Sequence, residues 1–304
     1  MKAKQALFIF LILLVNHAGA QKQNYKWVIE PQFDIGRTFS EGMASTCTNG
    51  LWTYIDKTGK KLFSRNSQIC FEFHSGRALV KENNRFGYID KSGKVVLDIN
   101  YKDAYDFDKG MAPAIFGDTN NNPYWGWIDT LGHVVIQARY QNVSTFFNDT
   151  AYVCLNGLWG MIDRGGKYLV EPSFPNRPPG FYRSLMLIHE NNKFGFRNAY
   201  TNEILIPAQY DNADDFKNGY AKVCLNNKWG LIDMMGKVVV EIKYDFAEPF
   251  SDGLAQVTAN NKKGFVNKKG EIVISPRFED THPYTEGLIG VKMNGKWGYI
   301  EVDL

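Results

Sequence analysis

Short stretches that alternate apolar and polar residues, such as Ala221-Lys222-Val223 and Ala255-Gln256-Val257, recur along the chain and fit half-buried strands. Each leads to a second strand-like run, among them Tyr88-Ile89-Asp90, Trp127-Ile128-Asp129 and Leu231-Ile232-Asp233. A third, β-branched run follows, as in Lys237-Val238-Val239-Val240 or Ile204-Leu205-Ile206, the latter stopped by Pro207. Between the second and third runs, Asp90 to Lys94 and its equivalents place a glycine where a type I turn with a G1 bulge requires one. The unit so defined is a three-stranded antiparallel sheet too small to bury its own faces.

The units repeat. Aligned on Gly42, Gly76, Gly110, Asp149, Ser184, Gly219, Gly253 and Gly287, the chain shows intervals of 34, 34, 39, 35, 35, 34 and 34 residues. An aromatic stands three residues before each marker, from Phe39 to Tyr284, and in most copies another lies six residues further upstream, with a mostly small residue between (Ala104, Ala213, Ala247). Steps of three predict a short 3₁₀-like turn leading into each unit. Ten residues past the marker come Trp52, Phe86, Trp159, Phe194, Trp229, Lys263 and Trp297, with Trp125 delayed by five extra residues in the third copy. A glycine follows in every copy except the first, which has Thr53. Tetratricopeptide repeats share this period, but two glycines per copy, a central hairpin turn and period-2 alternation exclude paired helices.

The Trp/Phe-Gly-aromatic-Ile-Asp-x-x-Gly-Lys core resembles the WG (KWG) repeat family over nearly the whole chain beyond residue 20. Thr53, Lys263 and Arg197-Asn198 depart from it locally. The family is found widely in bacterial exported proteins; the resemblance implies a β-rich repeat architecture and carries over no catalytic residue, because the family is defined by its repeat rather than by an activity.

Residues 1–20 read as a signal peptide: basic Lys2 and Lys4, an apolar run from Ala6 to Val15, and Ala18-Gly19-Ala20 before Gln21. Residues 21–304 are then expected to form one β-repeat domain of eight units in the periplasm or at the cell surface, with no membrane span. Without Lys2 and Lys4 the chain holds 33 basic and 32 acidic residues, well mixed, which argues against a nucleic-acid partner.

Periodicity accounts for most residues that could carry chemistry. Five of the seven Trp occupy one column, four of them next to a glycine, and they are read as filler between units. Cys47, Cys154 and Cys224 occupy equivalent positions in non-adjacent copies, so four unpaired, buried thiols are expected, with a Cys47–Cys70 bridge as the alternative. His189 shares the Cys column, and no paired ligand spacing supports a metal. Asp118-Thr119-Asn120-Asn121-Asn122 looks like the start of a calcium loop, but Pro123 stands where an EF-hand needs glycine. Asp56, Asp90, Asp129, Asp163 and Asp233 are read as hairpin residues that accept local backbone bonds. No catalytic motif or cofactor site stands apart from the repeat.

The last copy stops at Trp297-Gly298-Tyr299-Ile300 without its third strand, while Trp27 to Phe33 is an orphan third strand. Their complementarity predicts an all-β, propeller-like closed ring in preference to an open β-superhelix. The functional expectation is a non-enzymatic binding or scaffold protein with a protein or cell-envelope partner. A glycan-binding module and a propeller-type enzyme are the alternatives. Binding is expected where periodicity fails: at the copy-3 insertion, which delivers Tyr124 beside Trp127, and at the irregular approach to copy 5, with Arg177, Tyr182 and Arg183.

Overall fold

The structure is a computed structural model that describes residues 24–116, 124–147, 149–176, 181–182, 185–198 and 201–303. The proposed signal peptide lies outside the described residues. Eight antiparallel sheets follow one another in a ring, an eight-bladed β-propeller. Among the described residues there is no helix, so none is long and apolar enough to cross a membrane.

Each blade has strands a to d from the axis to the rim, in chain order except in blade 8. In blade 1 these are Ile35–Gly36, Met43–Thr48, Leu51–Asp56 and Lys61–Arg65. The expected three-stranded unit thus gains a fourth, innermost strand, and the 3₁₀-like lead-in is corrected. Its residues are extended and pair with strand b, as Asn142 with Cys154 and Val143 with Val153 in blade 4. The chain then leaves the ladder and rejoins it at the Phe147–Thr150 bridge. That excursion, rather than a helical turn, sets the step of three. In blade 3 strand a shrinks to one bridge, Ala104 to Ala114.

Turn chemistry makes the blades. Strands a and b join through two residues with left-handed φ, Glu41 at 52° and Gly42 at 84°, as a type I′ hairpin requires. Strands b and c join through Asn-Gly or Asn-Asn pairs of the same kind, such as Asn226 at 52° and Asn227 at 60°. Strands c and d join through the Asp column. The Asp56 carboxylate accepts from the Thr58 hydroxyl and from the backbone N–H groups of Thr58 and Lys60, and Asp90, Asp129, Asp163 and Asp233 repeat the two backbone bonds. The expected role of this column is borne out. The Thr58 hydroxyl bond, reinforced by those backbone donors, holds the Asp56 carboxyl below its ordinary range.

Blades pack through strand c. Trp52 and Tyr54 face blade 2, where they share a buried cluster with Cys70, Phe73 and Val80. The second aromatic meets the next blade's phenylalanine at Tyr54–Phe73 (5.2 Å), Tyr88–Phe107 (4.7 Å), Trp127–Phe146 (5.5 Å) and Phe196–Phe216 (4.7 Å). Three tyrosines also donate across the junction, Tyr54 to the Phe71 carbonyl, Tyr88 to that of Tyr105 and Tyr299 to that of Arg37, at 2.7–2.8 Å. The small-residue column is explained by the same packing, since a Cβ on Gly36 would lie 2.9 Å from Trp297 Cβ. All four cysteines are free and buried, and burial pushes the Cys70 thiol up to about 11.

The ring closes as the complementary ends predict. Tyr25–Phe33 pairs with Lys296–Val302 and becomes strand d of blade 8. Across this seam Ile29, Phe39, Ala44, Ile55, Leu288 and Tyr299 form one buried cluster. Closure covers the edge of Lys296–Val302, whereas strands d remain open at the rim. Four of these strands carry a proline, Pro31, Pro172, Pro207 and Pro276, and the nitrogens of Pro31, Pro172 and Pro276 lie over the glycine of strand c.

The glycine after the Trp column has a specific cause. In blade 6, Trp229 pairs with Tyr244 and Leu231 with Val240, so Glu241, Ile242 and Lys243 arch over Gly230 alone. A Cβ there would lie 2.4 Å from the Val240 carbonyl oxygen. In blade 1 the register is one to one, Trp52 to Arg65, Thr53 to Ser64 and Tyr54 to Phe63, and Thr53 fits with its hydroxyl 2.8 Å from that of Ser64. Gly230→Ala should therefore cost roughly 1–3 kcal/mol by overpacking, while Thr53→Ala loses about 1 kcal/mol of hydrogen bonding. Thermal unfolding of both variants checks this, and an equal or smaller loss for Gly230→Ala contradicts it.

Candidate functional site

The innermost segments hand on to one another around the axis. The Ser40 hydroxyl donates to the Phe73 carbonyl, that of Ser251 to Tyr284 and that of Thr285 to Phe39. At the neighbouring turns, Glu41 accepts the Gly76 N–H and pairs with Lys91, and Glu286 accepts the Gly42 N–H and pairs with Lys57. These bonds fix the segments that line the axis, and the side chains just after the small-residue column form its wall.

Here the copies differ: Arg37 in blade 1, Phe71 and Glu72 in blade 2, Tyr105 and Asp106 in blade 3, Asp214 in blade 6, Glu248 in blade 7 and His282 in blade 8. The Arg37 guanidinium lies over Phe71 (4.6 Å) and Trp52 (5.5 Å), with its terminal nitrogen 3.9 Å from Glu72 Oε2. Arg37 Nε and Asp106 Oδ1 are buried and have no hydrogen-bond partner among the described residues. Burial pushes the Asp106 carboxyl up to about 6, with Glu72 adding to the shift and His74 and Arg37 opposing it. His282 stacks flat on Trp297, centroids 4.2 Å apart, and its Nε2 lies 2.6 Å from the Gly36 carbonyl oxygen. Burial lowers its pKa, so the ring is neutral near pH 7 and Nε2 is the donor. In blade 6, Lys222 pairs with Asp214 and covers Phe246.

A cleft of about 370 Å³ opens between blades 6, 7 and 8, lined by Glu248, Pro249, Gln256, Lys263, Thr281 and Pro283 among others. Chemically, this wall offers an arginine, carboxylates and stacked rings for recognition. No group of three or more metal-ligating side chains occurs among the described residues. His189 instead stacks on Phe194 at 4.4 Å.

The sequence-derived candidates do not assemble into one described site. Tyr124 is half-buried at the start of Trp125–Asp129. Trp127 has no exposed surface, because its alternation on strand c turns it into the junction with Tyr140 and Phe146, and it is corrected from a contact residue to a packing residue. Arg177, Arg183 and the calcium-like Asp118 to Asn122 lie outside the described residues. The Tyr182 backbone pairs with Leu185. The charged residues of the axial wall escaped the sequence reading.

The WG-containing repeat model matches residues 19–52, 52–86, 86–118, 125–159, 194–229, 229–262 and 264–297. The chain belongs to the WG-containing repeat family. Its unmatched stretch includes the irregular approach to the fifth WG repeat. No curated protein matches the sequence. A solved structure of the eukaryotic initiation factor is similar at 11% identity, covering 86% of this chain and 83% of that one, with a TM-score of 0.52. PorZ, a bacterial surface component of the type-IX secretion system of Porphyromonas gingivalis, is similar at 9% identity over 88% of this chain and 42% of its own, with a TM-score of 0.41. At such identities the first likeness is one of fold alone, and the second carries no argument.

Asp106 yields a pH test. Its folded pKa of about 6 exceeds the ordinary 3.8, so the folded state binds this proton more tightly. The resulting stabilisation is complete below about 4 and is lost as pH rises through 6. Asp106→Asn should therefore be more stable than the parent at pH 7.5, with the gap closing towards pH 4.5. Denaturant melts across that range measure it, and parallel profiles for the two proteins contradict it.

Proposed function

We propose that this WG-repeat propeller is an exported, non-enzymatic scaffold that recognises a protein partner through its axial wall. The observation that supports this reading is the division of labour among the side chains. Repeated polar residues serve turns and junctions, while Arg37, Glu72, Asp106, Asp214 and Glu248 differ from copy to copy on an otherwise repeated frame. A rigid support beneath varied charged and aromatic groups suits specific recognition. Export rests on the basic, apolar and small-residue order of residues 1–20.

A second reading is favoured by Tyr105. Its ring lies flat on Trp125, 4.9 Å away at 9°, and is 39% exposed, a platform suited to a sugar face. A glycan array separates this reading from the first.

The main test is crosslinking capture from the native envelope, followed by reconstitution with the purified partner. Arg37→Ala combined with Glu72→Ala should weaken that complex at least tenfold, and full affinity in a folded variant would refute axial recognition. When the chain is expressed in a bacterium with residues 1–20 intact, the exported form should begin at Gln21. A protein still carrying Lys2 and Lys4 would refute the leader.

A further inference from the structure

Seven of the eight c strands carry a ring in the Trp column, and the seventh blade carries Lys263. The Trp52 indole N–H donates to the Gln68 carbonyl of the next blade (3.3 Å). Trp125 lies flat on Tyr105, Trp229 sits 5.7 Å from Phe246 of the next blade, and Trp297 lies flat on His282 and against Gly36. These four rings thus pack against an inner segment, their own or that of the next blade, and Trp297 packs against both. In blade 7, Lys263 turns to Asp280 of blade 8 at 2.5 Å, and the Thr281 hydroxyl donates to Gln256 Oε1 at 2.6 Å. The 370 Å³ cleft bordered by Glu248, Lys263 and Thr281 opens at the place of the missing indole.

We propose that this cleft receives one aromatic side chain, a Trp or Tyr, from a partner protein, standing where the other blades carry their own ring. The inference rests on the protein-recognition reading and adds the chemistry of the anchor. Pro249, Pro283 and Phe250 offer apolar surface to the ring. Lys263 supplies a cation beside it, as Lys222 does for Trp229 at 5.6 Å. Glu248, on the wall, can accept an indole N–H or a phenol O–H. The volume lies within the usual range for small-ligand sites, about 300–1,000 Å³.

The probes are N-acetyl-tryptophanamide and N-acetyl-tyrosinamide, titrated against the full chain by NMR. Saturable binding is expected at ~0.1–10 mM, with none for N-acetyl-alaninamide. Lys263→Trp fills the cleft with the chain's own ring and should weaken probe binding at least tenfold, with the melting temperature held or raised. A benzophenone-bearing amino acid amide, photolysed on the parent protein, should label segments 248–263 or 280–284, and this arm does not depend on the variant folding. Absence of saturable binding, unchanged binding in a folded Lys263→Trp protein, or labelling confined to other segments overturns the proposal. Partner capture that survives Lys263→Trp leaves protein recognition standing and overturns only the part assigned to this cleft.

Discussion

The fold depends on one pairing, that of the N-terminal strand Tyr25–Phe33 with Lys296–Val302. Every blade buries one face against the blade before it and one against the blade after, so an array of such units satisfies all its faces only as a ring. The two chain ends share blade 8. Their ladder, with the Tyr25 and Trp27 rings against Phe278 at 5.6 and 6.3 Å, holds the last junction to the geometry of the others. Without it, the strand Lys296–Val302 would expose its edge and the Ile29–Tyr299 cluster would lose a wall.

Given that frame, the repeated columns divide their work by depth. Strand c supplies the aromatic that crosses to the next blade, and the small-residue column admits the neighbour's Trp. The glycine after the Trp exists because strand d arches over it, and Thr53 is allowed in blade 1 because strand d there does not arch. Left over are the axial residues, where no junction dictates the side chain and charge is free to vary. Arg37 and Asp106 bury polar atoms there that find no partner among the described residues, an arrangement that costs stability.

Much of this was legible in the sequence. The marker spacing gave eight units, the Asp-x-x-Gly turns gave the c–d hairpins, and the truncated last copy with its orphan partner gave closure. What escaped has physical reasons. A two-residue inner strand carries no alternation, so Asn142-Val143 could not be told from a turn. Trp127 looked available because it sits beside an insertion, yet strand alternation points it inward. The axial cluster joins residues 37, 72 and 106 across three blades, a proximity that follows from ring curvature and leaves no mark in local pattern. Lys263 stood out as a departure, but only the geometry of the neighbouring indoles shows what its presence opens.

Ring closure is tested most directly by placing spin labels at Lys26→Cys and Glu301→Cys, which face each other across the seam, joined in the parent by a 2.7 Å ion pair. The four native cysteines are buried, so labelling is confined to the two new sites. Paired strands hold opposing Cα atoms about 5 Å apart, and the account predicts strong dipolar broadening in the monomer, lost on unfolding. Narrow, unbroadened spectra from the folded, doubly labelled monomer would contradict a closed ring.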